Sequence, residues 1–309
     1  MRLKLAHYRN RFSMFRTYYA LRVGLVKADG IDFTIVEVPD PPSRELEDVL
    51  IRGEVDISNV YLPNFLERRL EGAPIIGLCT EWKSTGKGNG LFVRRNGIRG
   101  PAELEGRRVT THQGRHAIHQ YLLKKAYAVD SSTLKWAASP QETLIGVLRR
   151  GDADAVVLLD QFFHQGEQAE DIACLYTDGD AWNRLTAFDE MIKHIVAASE
   201  SLIRKNPSLR DALLAAFRES FAYSERNMDE VADVFVKTYG GDREALLISA
   251  RYPRVEFTFT DSERRLAQRQ MEMFVEVGRL LRNAPIEEDC RPPPYMVAQI
   301  QPNTISTSG

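Results

Sequence analysis

The chain has 309 residues and a formal net charge of −2, from 41 Lys and Arg against 43 Asp and Glu. This balance argues against a protein that binds nucleic acid through a strongly basic surface. A content of 43% hydrophobic residues excludes a largely disordered chain. The apolar runs 75–79 and 155–159 have the length of buried strands, far from the roughly 20 residues of a membrane helix. Three separate cysteines without a CxxC pair indicate neither a disulfide framework nor a zinc site.

Apolar runs alternate with helical patterns through the first half of the chain. Alternating and β-branched residues predict strands at 3–7, 32–38, 55–60, 90–94, 107–111, 134–137 and 153–159. Amphipathic spacing predicts a short turn of helix at 100–104 and longer helices at 12–26, 43–52, 116–128 and 140–149. Strands and helices in this order, joined by short links, indicate βαβ units and mainly parallel sheets flanked by helices.

The chain that follows a further apolar segment at 192–197 is almost wholly helical. Its helices are predicted at 207–227, 228–239, 243–251 and 260–282. The last helix carries an apolar face that packs either on its own lobe or on a second subunit, which leaves a homodimer open. The segment 286–309 is rich in Pro and then in Ser and Thr, and it is predicted to be an extended tail.

Two short segments of the sequence are built alike. In GEVDISNV (53–60) and GDADAVVLL (151–159), a Gly at a helix end is followed by an acidic residue, one spacer, an Asp and a buried strand. This short repeat suggests two half-domains of similar construction, with a cleft between them.

Three longer stretches resemble the type II periplasmic-binding-protein fold, an α/β fold in which the chain crosses twice between two lobes. They are GEVDISNVYLPNF (53–65), GIRGPAELEGRRVTTHQGRHAIHQYL (97–122) and HIVAASESLIRKNPSLRDALLAAF (194–217). The resemblance implies a ligand cleft between two lobes, each a mainly parallel sheet flanked by helices. It places residues 1–91 and 195–285 in lobe 1, residues 92–194 in lobe 2 and residues 286–309 in the tail.

Within this fold the sequence is most similar to the soluble branch typified by 4,5-dihydroxyphthalate decarboxylase, which is related to the taurine/nitrate-type and thiamine-precursor groups. The likeness rests on LKLA at 3–6, GID at 30–32, RGEVD at 52–56 and His194, which opens HIVAAS. The cysteine-rich motif of the thiamine-precursor enzymes is absent from the sequence, so that activity is set aside. The resemblance implies a decarboxylation in which a His protonates the carbon as carbon dioxide leaves.

The residues expected in the cleft follow from the positions of the strands. In open α/β sheets the ligand lies at the carboxyl ends of the strands, near helix N-termini. The substrate-binding candidates at these positions are Tyr8, Arg9, Asn59, Tyr61, Trp82, Lys83, Ser84, His112, Gln113, Gly114, Arg115, His116 and Asp160.

The segment 111–116 carries the strongest local signal for a bound carboxylate. Gly114 lets the backbone approach a ligand, free N–H groups at a helix start favour an anion, and Arg115 supplies a bidentate clamp. The same pattern also fits an Arg and a His that merely face solvent. His194 and His7 are the candidate catalytic proton donors, although a lone His in an apolar strand also fits a structural role.

No metal and no organic cofactor are predicted. The pairs His112/His116 and His116/His119 have helical spacing, but Gly114 makes a continuous helix from His112 doubtful. No adjacent Glu completes an HExxH motif, and the sequence offers no third ligand to complete a pair. Neither a GxGxxG fingerprint nor a P-loop occurs in the sequence.

These observations favour an intracellular lyase, a decarboxylase that holds a small aromatic or cyclic carboxylate between two lobes. A cytoplasmic location is expected because no apolar stretch of an export signal follows the basic N-terminus. The expected partner is the small carboxylate, with neither nucleic acid nor a membrane span. The alternative is a solute-binding protein of an ABC-type uptake system for a small organic anion.

Overall fold

The computed structural model describes residues 1–28, 30–39, 46–114, 116–186, 190–283 and 286. In chain order the strands of this part are β1 (Arg2–Tyr8), β2 (Asp32–Val38), β3 (Ile57–Tyr61), β4 (Ile75–Ser84), β5 (Asn89–Arg94), β6 (Arg108–Thr111), β7 (Lys135–Ala138), β8 (Ala155–Leu159), β9 (Ile172–Thr177), β10 (Met191–Ser199) and β11 (Pro253–Thr258).

The α-helices of the same residues are α1 (Phe12–Arg22), α2 (Leu46–Ile51), α3 (Leu62–Leu70), α4 (Ala117–Tyr127), α5 (Leu144–Arg150), α6 (Asp160–Gln168), α7 (Asp178–Leu185), α8 (Glu200–Lys205), α9 (Leu209–Arg226), α10 (Met228–Tyr239), α11 (Arg243–Ser249) and α12 (Asp261–Glu276). The strands and long helices expected from the sequence are present, with ends that shift by a few residues. The sequence pattern did not predict α3, α6, β9, α7, α8 and β11.

The strands form two separate sheets. The first sheet has the order β11-β4-β10-β3-β1-β2, and the second has the order β7-β6-β8-β5-β9. The chain leaves the first sheet after β4 and returns to it through β10, so it crosses between the sheets twice. Two sheets flanked by helices confirm the predicted two-lobed α/β fold.

The sheets are mixed, whereas mainly parallel sheets were expected. Parallel pairs join β1 to β2 and β3, and join β6 to β7 and β8. The strands next to the crossings, β4, β5 and β10, pair with antiparallel neighbours. The strands β5 and β10 enter their sheets from the other lobe, so no βαβ unit fixes their direction. The strand β4 follows β3 and α3 in its own sheet and has antiparallel neighbours because β10 and β11 flank it.

Burial explains why the central strands read as continuous apolar runs. Every residue of β8 (AVVLL) is at most 8% exposed, as is typical of a strand covered on both faces.

The helix α12 begins with a capping box between Thr260 and Glu263. It buries Leu266 and Phe274 in the main core, so this helix packs on its own chain.

The first crossing depends on close contact between two backbones. Gly179, near the start of α7, lies against Gly86 in the loop that joins β4 to β5. A Cβ placed on Gly179 would lie 2.2 Å from the Gly86 nitrogen, much closer than real Cβ contacts. Only Gly fits at position 179 while this loop keeps its path.

Candidate functional site

A cavity lies where the ends of β1, β3 and β8 meet the crossing strands β4, β5 and β10. It has a volume of about 50 Å³. Both sheets contribute to its wall, which consists of Tyr8, Arg11, Ser13, Met14, Tyr61, Trp82, Asn89, His112, Gln113, His116, Leu159, Lys193 and His194. A cleft between two sheets, at strand ends, is the arrangement expected of a ligand site in this kind of fold.

His194 lies in the wall between an amide and two aromatic rings. Its Nδ1 donates a hydrogen bond of 2.7 Å to Asn59 Oδ1. Its ring stacks on Trp82 with centroids 5.1 Å apart, and the Tyr61 centroid is 5.7 Å away. Burial, followed by the charges of Arg11 and Lys193, lowers the pKa of His194 to about 3. At neutral pH this imidazole is therefore uncharged.

His112 is held by Gln141, whose amide orientation is set by the backbone of β8. Gln141 Nε2 donates to the Val157 carbonyl, and Gln141 Oε1 accepts from the Leu159 N–H. The same Nε2 lies 3.4 Å from His112 Nδ1, which must therefore accept. Burial and the neighbouring Arg11 hold the pKa of His112 well below its usual value. The neutral ring then carries its proton on Nε2.

His116 and Tyr61 present buried polar atoms that lack partners. His116 is 3% exposed, and its Nδ1 has no hydrogen-bond partner among the described residues. The same is true of the Tyr61 hydroxyl, and the two ring centroids are 6.1 Å apart. Burial and Lys193 lower the pKa of His116 to about 3. Unpaired buried groups are costly, so these two polar atoms on one cavity wall are suited to hydrogen-bond a ligand.

A second layer of hydrogen bonds stands behind the cavity wall. His119, which is fully buried, donates from Nε2 to Asn89 Oδ1 at 3.2 Å, while its Nδ1 accepts from the Tyr176 hydroxyl at 2.9 Å. This chain fixes the amide of Asn89, a residue of the wall. The sequence pattern could not reveal it, because Asn89, His119 and Tyr176 come from three separate elements.

Two cations in the wall were not among the predicted site residues. Arg11 is 7% exposed, and its Nη1 lies 3.7 Å from the Asp160 carboxylate. Asp160 has a φ of 51°, a conformation that residues other than Gly rarely adopt, and such backbone strain is often found at functional sites. Lys193 forms a fully buried ion pair with Asp178, which also accepts from Ser84 Oγ. The sequence signal that could have identified Arg11 is its position as a basic residue shortly after the end of β1.

The structure brings a large share of the predicted residues together. Those that line the cavity are Tyr8, Tyr61, Trp82, His112, Gln113, His116 and His194. Asn59 and Asp160 contact the wall through His194 and Arg11. Gly114 has a φ of 76° and accepts from Thr111 Oγ1 in the loop before α4. Arg115, the expected anion clamp, lies outside the described residues.

Four predicted residues lie elsewhere. His7 bonds to the Tyr8 carbonyl and stacks on Tyr18, behind β1. Arg9 is exposed, pairs with Glu37 and lines a larger pocket that also contains Arg11. Lys83 contacts three carboxylates, and Ser84 bonds to Asp178; neither lines the cavity. Successive strand residues point to opposite faces, so Tyr8 and Trp82 reach the cavity while His7 and Lys83 do not.

Metal-binding clusters and membrane-spanning helices are both absent from the described residues. These residues contain no cluster of three or more His, Cys, Asp or Glu side chains arranged to hold a metal ion. They also contain no helix with the length and apolar character needed to cross a bilayer.

Several solved structures with the same fold are described as binding proteins or transport components. The periplasmic aliphatic sulphonate binding protein SsuA from Escherichia coli superposes with a TM-score of 0.73 and 16% identity, covering 100% of this chain and 98% of its own. The alkanesulfonate-binding SsuA from Xanthomonas axonopodis pv. citri, bound to MOPS, gives 0.71 and 15%, covering 90% and 94%. The ligand-binding component of an ABC-type import system from Staphylococcus aureus, with zinc bound, gives 0.72 and 13%, covering 95% and 97%. No curated protein sequence matches the chain at a significant level.

These neighbours confirm the resemblance to periplasmic binding proteins and correct the functional expectation. The prediction of an intracellular decarboxylase was wrong, because the neighbours are described as binding proteins and transport components. The cytoplasmic location is contradicted by the same finding, since SsuA from Escherichia coli is described as periplasmic.

The sequence itself also matches a family model. The model described as NMT1/THI5 like covers residues 12–230, which is more than half of the chain and includes both crossings between the sheets. The chain therefore belongs to the NMT1/THI5-like family.

Proposed function

We propose that the protein is a solute-binding protein that captures a small organic anion between its two lobes for an ABC-type importer, and that it works in the periplasm. The observation that carries the proposal is the cavity between the sheets, whose wall contains Arg11 together with buried polar atoms of His116 and Tyr61 that have no hydrogen-bond partner among the described residues. The fold neighbours described as sulfonate-binding proteins support the same class of ligand.

The electrostatics of the wall favour an anion. Burial is the main cause of the lowered pKa of His194, and the charges of Arg11 and Lys193 lower it further, so these two cations add a positive potential at the ring. A bound carboxylate or sulfonate would accept charge-assisted hydrogen bonds from Arg11 and a neutral N–H bond from His112 Nε2. Exclusion of water when the lobes close strengthens each of these bonds.

The same pKa values argue for a binding role over proton transfer. A general acid needs a pKa near the working pH. With a pKa of about 3, His116 and His194 are uncharged at pH 7 and carry no readily transferred proton. A neutral imidazole held by Asn59 or Gln141 is suited to orient a ligand.

The proposal is tested by calorimetry and thermal shift on the purified chain. The ligands are propanoate, benzoate, ethanesulfonate and benzenesulfonate, each compared with its neutral amide or sulfonamide isostere. We expect at least one anion to bind and raise the melting temperature, its neutral isostere to bind far more weakly, and mass spectrometry to recover the ligand intact. Absence of binding to every anion, or chemical conversion of a bound one, would contradict the proposal.

Variants test the role of Arg11. We expect Arg11→Gln to weaken anion binding by roughly 10- to 100-fold, the value of one charged hydrogen bond, and Arg11→Lys to be intermediate. Arg52→Gln is the matched control, since Arg52 is exposed and pairs with Glu54 away from the cavity. The melting temperature without ligand reports any loss of stability from exposing Asp160.

A further inference from the structure

A second, larger compartment lies beside the ligand cavity. This outer compartment has a volume of about 500 Å³, ten times that of the inner cavity. The two share Arg11 and His112, which therefore lie at the boundary between them. A compact charged group fills the inner cavity, so the rest of any larger ligand has to extend past Arg11.

The outer compartment has an apolar, aromatic side. Phe162 from α6 and Phe235 from α10 line it, together with Tyr239 at the end of α10. Phe235 is 2% exposed and is held edge-on by Phe12, so its position is rigid. Rigid aromatic walls bind apolar and aromatic groups at low entropic cost.

The same compartment holds a buried acceptor without a donor. Gln161, the second residue of α6, is 9% exposed and lines the compartment. Its Oε1 has no hydrogen-bond partner in the part of the chain that the structure describes. A buried amide oxygen left unpaired costs free energy, which a hydroxyl or N–H group of a ligand would recover.

We infer that the ligand is an elongated organic anion: its charged group lies in the inner cavity beside Arg11, and an aromatic or apolar substituent bearing a hydrogen-bond donor lies in the outer compartment, against Phe162 and Gln161. This inference rests on the proposed function and specifies its substrate class. Phe162 and Gln161 are then specificity residues that act on the substituent and leave the charged group alone.

The test compares ligands that share a charged group and differ in the substituent. Acetate and methanesulfonate are the short probes, phenylacetate and benzenesulfonate the long ones, and hydroxyphenylacetate adds a donor. We expect the long probe of at least one pair to bind roughly 10- to 100-fold more tightly than the short one, as burial of a phenyl ring provides. Phe162→Ala is expected to remove most of this ratio and leave the short probe unchanged. Phe33→Ala, at a partly buried Phe of β2 outside both compartments, is the matched control and keeps the ratio.

The hydrogen-bond donor is tested separately at Gln161. We expect hydroxyphenylacetate to bind several-fold more tightly than phenylacetate, and Gln161→Leu to abolish that preference without changing the affinity for acetate. Equal affinity for short and long probes, or a Phe162→Ala variant that keeps the ratio, would overturn the inference and leave the proposed function standing. If no probe binds to the wild-type protein, the proposed function fails and the inference fails with it.

Discussion

The burial of His116 predicts how the stability of the protein responds to acid. Burial lowers the pKa of His116 to about 3, against 6.5 in an unfolded chain. At pH values between these two, the His116 imidazole is protonated in the unfolded chain and neutral in the folded protein. The contribution of His116 to stability is therefore complete above about pH 6.5 and is lost progressively as the pH falls towards 3.

The size of the effect follows from the distance in pH. From pH 6.5 to pH 5 the cost is 1.5 pH units at about 1.36 kcal/mol each, or about 2 kcal/mol for His116. In a protein of this size, 1 kcal/mol shifts the melting temperature by about 2–4 °C. We therefore expect His116 alone to account for about 4–8 °C of the decrease in melting temperature between pH 7 and pH 5.

The assay compares the wild type with His116→Gln at pH 7 and pH 5, without ligand. Gln has no titrating group, and no hydrogen bond is lost because His116 Nδ1 has none among the described residues. Other groups titrate as well: burial raises the pKa of Glu81 to about 8, so its contribution grows as the pH falls. These groups are common to both proteins and cancel in the difference. If the melting temperature falls by the same amount in both proteins between pH 7 and pH 5, the burial argument for His116 is refuted.

Three further outcomes are expected. Gly179→Ala lowers the melting temperature strongly, because the added Cβ would lie 2.2 Å from the backbone nitrogen of Gly86. Gly100→Ala is the control and changes the melting temperature little, because its Cβ meets nothing within 4 Å. Equal effects of the two variants would contradict the close packing at the first crossing. Lys83→Met lowers the free energy of unfolding by about 3 kcal/mol, since three carboxylates lose their shared cation. The variant leaves the affinity for anions unchanged. A loss of affinity in a folded variant would place Lys83 in the site. Cys79 is fully buried with a raised thiol pKa, and it is expected to react with iodoacetamide only in denaturant; a mass shift at Cys79 in the native protein would show that it is accessible.

The sequence by itself determined the fold class and much of the cavity wall. Alternating strands and helices follow from local periodicity, and β8 is recognisable because a strand covered on both faces is apolar throughout. Residues that follow strands meet at one edge of a sheet, which is why Tyr61 and His112, far apart in sequence, were both expected in the cleft and both line it. The functional class and location did not follow, because one fold serves both enzymes and binding proteins.

The tertiary structure alone decided which side chains reach the cavity and in which charge state. Neighbouring strand residues point to opposite faces, so one residue separates Trp82 in the wall from Lys83 in an ion cluster. The directions of β5 and β10 depend on the crossings between the lobes, which local periodicity does not encode. The low pKa of His116 likewise arises from burial by segments distant in sequence, and burial is a property of the assembled fold.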